Sequence, residues 1–263
     1  MFLKTLKYKL IHKYRLGIIV FQIGSWVFKF FLPHARTRMI LEWRANKQAQ
    51  QDPLWKDVVV PLWRIPFGFL MPRGRQSREE DLLFIENFIL KKLDIISQTA
   101  PWVNATQAVD STILRVLEKY GFQAQKSKLI ISKLQSYEVP YSSSHGDFHF
   151  DNIVFIGGKI RMIDWSLYSS RSSVILDIMH LPVRQICKKN GISWIEAQLK
   201  EIPEWNMLAE KINVDVDSLR ILYAVDRTER ELRQKSPINN DKNLMKYFSA
   251  LDRVIKRQEE GFG

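Results

Sequence analysis

Three polar side chains with types and spacing suited to shared chemistry lie close together in this sequence. Asn152 follows Asp147 by five residues, and Asp164 follows Asn152 by twelve. Carboxylate and amide oxygens are hard ligands of the kind that Mg2+ binds while it keeps several of its waters. A further carboxylate can orient or deprotonate a hydroxyl group. The three side chains therefore supply what phosphoryl transfer asks of a protein, which is an oriented hydroxyl and neutralised phosphate oxygens.

The segment between Asn152 and Asp164 predicts how these two residues meet. Two apolar-rich runs, 152–156 and 159–163, are separated only by the two glycines at 157–158. A glycine pair between such runs favours a type I′ turn, because that turn needs positive φ at both central positions. The resulting hairpin returns Asp164 to the side of Asn152, so we expect two metal ligands to become neighbours.

Two short stretches carry a family resemblance. The stretch 145–152, which reads HGDFHFDN, and the stretch 162–165, which reads MIDW, resemble the aminoglycoside phosphotransferase and choline kinase superfamily. Protein kinases have a related loop, H-R-D-x-x-x-x-N, followed by a metal-binding aspartate. The resemblance implies that Asp147 positions or deprotonates the acceptor hydroxyl, and that Asn152 and Asp164 bind Mg2+.

The resemblance also implies a fold, a nucleotide and further site residues. We expect an α+β, protein-kinase-like, two-lobed fold with a short β-rich N-lobe and a mostly helical C-lobe, and ATP and Mg2+ as cofactors. Lys29 stands where the family has the strand lysine that contacts the α- and β-phosphates. Glu42, the only acid on the helix that follows, is its expected partner. His145 and Asp177 are placed to brace the catalytic loop.

Periodicity and turn residues predict the elements that position these side chains. In the N-terminal part we predict strands over 17–23, 26–31, 58–65 and 67–71 and a helix over 35–50. In the C-terminal part we predict helices over 106–120, 125–136, 174–189, 193–201, 216–234 and 243–258. Ser77 and Glu80 form an S-x-x-E capping box that opens a further helix. The lobe boundary then falls near 73–76, which divides the chain into an N-lobe, 1–73, and a C-lobe, 74–263.

The N-terminal part lacks one motif that kinases use. No G-x-G-x-x-G occurs anywhere, and the glycines before Lys29 are only Gly17 and Gly24. The phosphates of a nucleotide are therefore covered by something other than a glycine-rich loop. A catalytically weak or inactive kinase-like binding module is the alternative to an active enzyme.

The positive charge of the chain is large and uneven. The formal net charge is +12, and residues 1–50 carry ten Lys and Arg against one acid, Glu42. Such a field favours anionic partners and argues against a cationic aminoglycoside as the acceptor. Nucleic acid is anionic too, but the sequence has no recognisable nucleic-acid-binding motif, so we do not favour it as a partner.

The acceptor can be predicted only by class. Gly146 replaces the kinase arginine that commonly reads activation-loop phosphorylation, and little room for such a loop remains between Asp164 and Asp177. These two features favour small molecules or sugar chains over protein acceptors. Together with the charge, they point to a hydroxyl of a small molecule or glycan, such as a lipopolysaccharide or capsule precursor.

The N-terminus allows two interpretations. Alternation of basic and apolar residues over 7–10 favours a strand, whereas the basic, amphipathic start favours peripheral contact with an anionic membrane. The apolar run 16–32 is interrupted by polar residues and no cleavage site follows it, so we predict neither a membrane span nor a signal peptide. The single cysteine, Cys187, fits a reducing compartment. We expect a cytoplasmic protein, either unattached or peripheral at the inner face of a membrane.

Overall fold

The computed structural model describes residues 17–234 and 241–260. The strand and the membrane contact predicted for the N-terminus therefore lie outside the described residues. The chain divides into two compact units, the first made of Met1–Ile85 and Phe150–Tyr168, the second of Glu86–His149 and Ser169–Gly263. The predicted lobes, 1–73 and 74–263, are a different division of the chain and stay a prediction. Within the described residues, no helix combines the length and the apolar character needed to cross a membrane.

Strands and helices are numbered in chain order. The strands are β1 Ile18–Ile23, β2 Trp26–Phe31, β3 Trp63–Ile65, β4 Gly68–Pro72, β5 Arg75–Gln76, β6 Trp102–Asn104, β7 Glu138–Pro140, β8 Ser142–Ser144, β9 Ile153–Ile156, β10 Lys159–Met162 and β11 Ser169–Ser172. The helices are α1 Arg36–Gln51, α2 Leu82–Thr99, α3 Ala105–Ala108, α4 Thr112–Lys119, α5 Ala124–Gln135, α6 Ile175–Asn190, α7 Trp194–Ala197, α8 Pro203–Ile212, α9 Val216–Gln234 and α10 Asp241–Glu260.

The first unit contains a four-stranded antiparallel sheet in the order β1-β2-β4-β3. β-branched and aromatic residues dominate β1 and β2, as strands favour, and Gly24 at φ 55° lies in the turn between them. Gly68 is required where β4 meets β2, because a Cβ atom there would lie 2.1 Å from the carbonyl oxygen of Lys29. One face of the sheet packs against α1 through a core that includes Phe31 and Met39.

The hairpin predicted around residues 157–158 is present as β9 and β10. Both glycines have positive φ, 59° and 73°, as a type I′ turn requires. The strands pair antiparallel, and the backbone N–H of Ile163 donates to the carbonyl of Asn152 at 3.0 Å. The prediction that the hairpin returns the chain before Asp164 to Asn152 is therefore confirmed.

The capping box predicted at Ser77 is wrong. The Ser77 hydroxyl donates instead to the carbonyl of Phe150 at 2.7 Å. The backbone N–H of Arg78 donates to the Asp81 carboxylate at 2.8 Å, and a short 3-10 turn there precedes α2. The serine that the local pattern assigns to the helix start is therefore hydrogen-bonded to a residue distant in sequence.

Several other predicted elements are shorter than expected. The helix over 106–120 is two helices, α3 and α4, because the Asp110 carboxylate accepts from the backbone N–H of Thr112 at 3.1 Å and starts a new helix there. Of the strand over 58–65 only β3 forms, since Pro61 has no N–H to pair. Of the helix over 193–201 only α7 is α-helical, and α8 was not predicted at all.

The second unit is mostly helical and has two short antiparallel strand pairs, β6 with β7 and β8 with β11. Its helix α9 contacts α5, α6, α8 and α10. All residues from 218 to 230 on this helix are buried, although several of them are charged. Buried charges persist only when they are paired, and two arginines of α9, Arg227 and Arg230, donate to Gly146 and Ser144 in the predicted catalytic loop.

Candidate active site

The structure brings together Lys29 and Glu42, the pair proposed for nucleotide binding. Lys29 is central in β2 and Glu42 lies on α1, so the pair joins the sheet to the helix packed on it. The Lys29 ammonium donates to both carboxylate oxygens of Glu42 at 2.7 Å, and both residues are buried. The second carboxylate of this cluster belongs to Asp164, whose Oδ2 lies 3.7 Å from Lys29 Nζ.

The two carboxylates determine the charge of Lys29. Burial lowers the pKa of Lys29, but the negative charges of Asp164 and Glu42 outweigh burial and hold that pKa above its ordinary value. The ammonium is therefore protonated at neutral pH. A protonated lysine beside a carboxylate that is 41 % exposed can bind phosphate oxygens and a metal ion at the same place.

Asp164 adopts a backbone conformation that is uncommon for a residue with a side chain. Its φ is 56°, in the left-handed region, which Asp tolerates better than most residues and which often marks functional sites. The next residue, Trp165, is buried and donates its indole N–H to the Met162 carbonyl at 3.1 Å. It also packs edge-on against Trp55. The buried tryptophan holds the turn in which Asp164 lies at the end of β10.

Asn152 ends a 3-10 turn and is buried beside the same end of the hairpin. Its amide oxygen and the carboxylate of Asp164 fit a hard cation such as Mg2+, which needs few protein ligands when phosphates and waters complete its shell. No cluster of three or more His, Cys, Asp or Glu able to hold a metal occurs among residues 17–234 and 241–260. A metal here would therefore depend on Asn152, Asp164 and a bound phosphate.

In the second unit, two imidazoles hold Asp147. The Nε2 atom of His149 lies 3.2 Å from one carboxylate oxygen of Asp147, and the Nε2 atom of His180 lies 3.1 Å from the other. Arg227 Nη1 is 4.0 Å away. Burial raises the pKa of Asp147, but the hydrogen bonds from both histidines outweigh burial and hold that pKa well below its usual range. Asp147 is thus an ionised carboxylate in a fixed orientation, which can accept a hydrogen bond from a hydroxyl group.

The protonation state of His180 follows from its partners. Burial and the nearby charge of Arg227 hold the pKa of His180 well below its ordinary value, so the ring is neutral. An ionised Asp147 can only accept, so Nε2–H of His180 donates to it. The Nδ1 atom then accepts from the hydroxyl of Tyr223 at 2.8 Å. Burial raises the pKa of Tyr223, which keeps that hydroxyl protonated.

Asp177 lies beside the loop that it was expected to brace. From the first turn of α6 its two carboxylate oxygens accept the backbone N–H groups of His145 and Gly146, at 2.7 and 2.8 Å. The ring of His145 accepts from the backbone N–H of Asp147 at 3.2 Å. Burial raises the pKa of Asp177 to about 7, against the opposing charge of Arg230. Gly146 has a φ of 83°, and this left-handed conformation turns the loop backbone so that its N–H groups face the Asp177 carboxylate.

Two arginines of α9 complete the support of the loop, and the sequence analysis missed both. Arg227 donates to the carbonyl of Gly146 at 2.8 Å. Arg230 is paired with Asp226 through two 2.8 Å contacts and also donates to the hydroxyl of Ser144 at 2.7 Å. The four-residue spacing of Asp226 and Arg230 is a typical helical ion pair and was the only local signal. The contacts to the loop depend on tertiary structure.

Comparison with known proteins identifies the fold. No family model and no curated protein matches the chain. Among solved structures, a thermostable mutant of aminoglycoside phosphotransferase APH(4)-Ia in ternary complex with AMP-PNP and hygromycin B matches with a TM-score of 0.54 and 12% identity, covering 91% of this chain and 93% of that one. Another structure of APH(4)-Ia gives 0.52 and 10%, covering 96% and 98%. Choline kinase LicA from Streptococcus pneumoniae is similar at 0.48 and 13%, covering 95% and 98%.

These comparisons bear on fold class. The chain has a β-sheet N-terminal region and a mostly helical C-terminal part, and it shares the kinase-like fold of the aminoglycoside phosphotransferase structures. The α+β, kinase-like fold class predicted from the sequence is confirmed. The roles of the individual site residues stay predictions.

Proposed function

We propose that the protein is an ATP-dependent phosphotransferase that transfers a phosphoryl group to an alcohol with the assistance of Mg2+. The observation that carries this proposal is the buried Lys29, which faces two carboxylates at 2.7 and 3.7 Å. A buried ion pair is a poor source of stability, so we attribute the burial of Lys29 to a function. In a kinase-like fold, the task of such a lysine is to bind nucleotide phosphates.

Each predicted residue has a defined part in the proposed reaction. Asp147 orients the acceptor hydroxyl and takes its proton, with its carboxylate kept ionised by His149 and His180. Lys29, positioned by Glu42, binds the phosphates of ATP. Asn152 and Asp164 hold Mg2+, which neutralises charge on the phosphate oxygens when it is bound.

The structural neighbours support a nucleotide and a hydroxyl-bearing substrate. One APH(4)-Ia complex contains AMP-PNP together with hygromycin B. For this chain, the net charge of +12 disfavours a cationic acceptor and favours an anionic one. We therefore propose a hydroxyl of a small molecule or glycan, with a lipopolysaccharide or capsule precursor as the leading class, and a cytoplasmic location for the reaction.

One feature of the sheet favours a second candidate function. The turn between β1 and β2 consists of two residues, Gly24 and Ser25, since Ile23 already pairs with Trp26. A turn this short has few backbone N–H groups to cradle phosphates, in contrast to a glycine-rich loop. A kinase-like binding module with weak or no catalysis is therefore the alternative.

Turnover in a base variant separates these two functions. ADP formation would be measured for wild type and Asp147→Asn with a panel of anionic glycans and polyols. Since general bases contribute about 10²–10⁴ in rate, Asp147→Asn should lose most acceptor-dependent turnover and keep its affinity for ATP. Asp151→Asn, which removes an exposed carboxylate from the same loop, is the matched control. Full turnover in Asp147→Asn would refute the proposed mechanism, and no turnover in wild type would favour the binding module.

A further inference from the structure

The four-stranded sheet of the first unit has an apolar outer face, on the side opposite α1. In β2 the side chains of Val27, Lys29 and Phe31 point toward α1, so alternate residues point away from it. The register of the sheet then places one set of side chains on the outer face. They include Phe21, Ile23, Trp26, Phe30 and Trp63.

This outer face is open to solvent. Phe21 is 49 % exposed, Ile23 65 % and Trp63 46 %. The aromatic rings contact one another across the strands, Phe21 with Phe30 and Trp26 with Trp63, so the face is one continuous patch. Single exposed apolar residues are normal on a protein surface, but a continuous apolar patch built from several strands is typical of an interaction site.

The charged residues in the segments that build this sheet are all basic. The chain segments that build the sheet, 17–32 and 58–76, contain no Asp or Glu. Arg73 lies beside the turn between β1 and β2, where its backbone N–H donates to the Ser25 carbonyl at 2.8 Å. Residues 1–16, which lead directly into the edge strand β1, carry five Lys and Arg and no acid. The sequence segments that form the sheet, and the residues that precede it in the chain, therefore contribute basic charge and no acidic charge.

We propose that the outer face of this sheet docks on an anionic lipid surface. Aromatic side chains with an apolar body are favoured at the boundary between headgroups and acyl chains, and basic residues beside them attract anionic headgroups. A second copy of the chain would instead bring the same basic residues face to face, which is repulsive. The sheet lies flat on the lipid surface, with its outer face toward the lipid. This docking does not depend on the proposed phosphotransferase reaction.

Sedimentation with vesicles tests the proposal on the full-length chain. Vesicles of phosphatidylcholine alone would be compared with vesicles that contain phosphatidylserine. We expect binding only to the anionic vesicles and weaker binding as salt rises. The double variant Phe21→Ser and Ile23→Ser should lose about tenfold or more in affinity, because both apolar side chains belong to the outer face and would no longer be buried in the lipid.

Two controls keep the test specific. Leu83→Ser removes an apolar side chain of similar exposure, 69 %, from α2 rather than from the sheet, and should bind vesicles as wild type does. Thermal melts of all variants would verify that they fold. Equal loss in Leu83→Ser and in the double variant, or no loss in either, would overturn the proposal.

Two further measurements address the other possible occupants. Brominated phospholipid should quench part of the tryptophan fluorescence, and Trp26→Tyr with Trp63→Tyr should abolish that part. Retained quenching would mean that the sheet face does not touch lipid, and would overturn the proposal. Sedimentation equilibrium without lipid should give a monomer. A dimer disrupted by Phe21→Ser and Ile23→Ser would assign the face to a second copy and would also overturn the proposal.

Discussion

The imidazole of His180 is held from both sides: its Nε2 lies 3.1 Å from the carboxylate of Asp147, and its Nδ1 lies 2.8 Å from the hydroxyl of Tyr223. The ring thereby connects helix α9 to the carboxylate proposed as the catalytic base. Because the ring is neutral, it has one donor and one acceptor, and both are used. His180 acts through Asp147 and is therefore a positioning residue.

Replacing His180 should weaken catalysis without weakening nucleotide binding. His180→Phe removes one hydrogen bond to a charged group, worth about 1.5–3 kcal/mol, so kcat/KM should fall about ten- to a hundredfold. The loss also raises the pKa of Asp147 toward its ordinary value, so the acid limb of the pH–rate profile should move to higher pH. His180→Gln retains an N–H donor and should recover part of the rate. Unchanged rate and pH profile in His180→Phe would show that the contact is only structural.

The depressed pKa of His180 also predicts how stability depends on pH. Below an ordinary histidine pKa of about 6.5, the unfolded chain binds a proton at this ring that the native state does not. The unfolded state then binds more protons, so the free energy of unfolding should fall as pH drops. This ring should therefore contribute to a loss of stability as pH falls below about 6.5. Urea unfolding at pH 5.5 and 7.5 should show that part of the loss in wild type and not in His180→Phe. Equal pH dependence in the two proteins would mean that His180 titrates normally.

The buried pair of Lys29 and Glu42 predicts a difference between stability and function. Lys29→Met leaves Glu42 buried without its partner, and breaking such a pair costs about 3–5 kcal/mol. Burial raises the pKa of Glu42 to about 7 even beside Lys29. Adding Glu42→Gln replaces this stranded carboxyl group with a neutral amide and should recover much of the stability measured by urea unfolding. It should not recover ATP binding, because the ammonium is still absent. A double variant that binds Mg-ATP like wild type would contradict the role proposed for Lys29.

Removal of Asp177 should destabilise the second unit more than removal of an ordinary surface cap. Asp177→Ala leaves two backbone N–H groups, of His145 and Gly146, buried without an acceptor, and each such group costs about 1–3 kcal/mol. We therefore expect the free energy of unfolding, measured by chemical denaturation, to fall by about 2–6 kcal/mol. Asp110→Ala, which removes a carboxylate that caps α4, is the matched control and should cost about 1 kcal/mol. Equal losses in the free energy of unfolding for the two variants would show that the Asp177 contacts stabilise the protein no more than an ordinary helix cap does.

The parts of the site that local sequence patterns describe were predictable. Two glycines between apolar runs predicted the hairpin that ends at Asp164, so local spacing was enough there. The pair of Lys29 and Glu42 was predicted from the family resemblance, and the strand and helix pattern only located the lysine and the one acid that match it.

The parts that depend on distant elements were not predictable in the same way. Tyr223, Arg227 and Arg230 reach the catalytic loop from α9, and no periodicity in that helix indicates which loop its buried face meets. Ser77 is a second example: the local pattern predicts that its hydroxyl caps the helix that follows, but the hydroxyl donates to the distant carbonyl of Phe150. The apolar outer face of the sheet could not be predicted either, because its residues alternate along strands whose apolar pattern is also typical of buried strands.

Thermal stabilisation by Mg-ATP tests the central claim most directly. At about 100 times its dissociation constant a ligand adds about 2.7 kcal/mol, which should raise the Tm of wild type by about 5–10 °C. The rise should require Mg2+, persist in Asp151→Asn and disappear in Asp164→Asn, which loses the proposed metal ligand. No shift of wild type at millimolar Mg-ATP, or an undiminished shift in Asp164→Asn, would contradict the account.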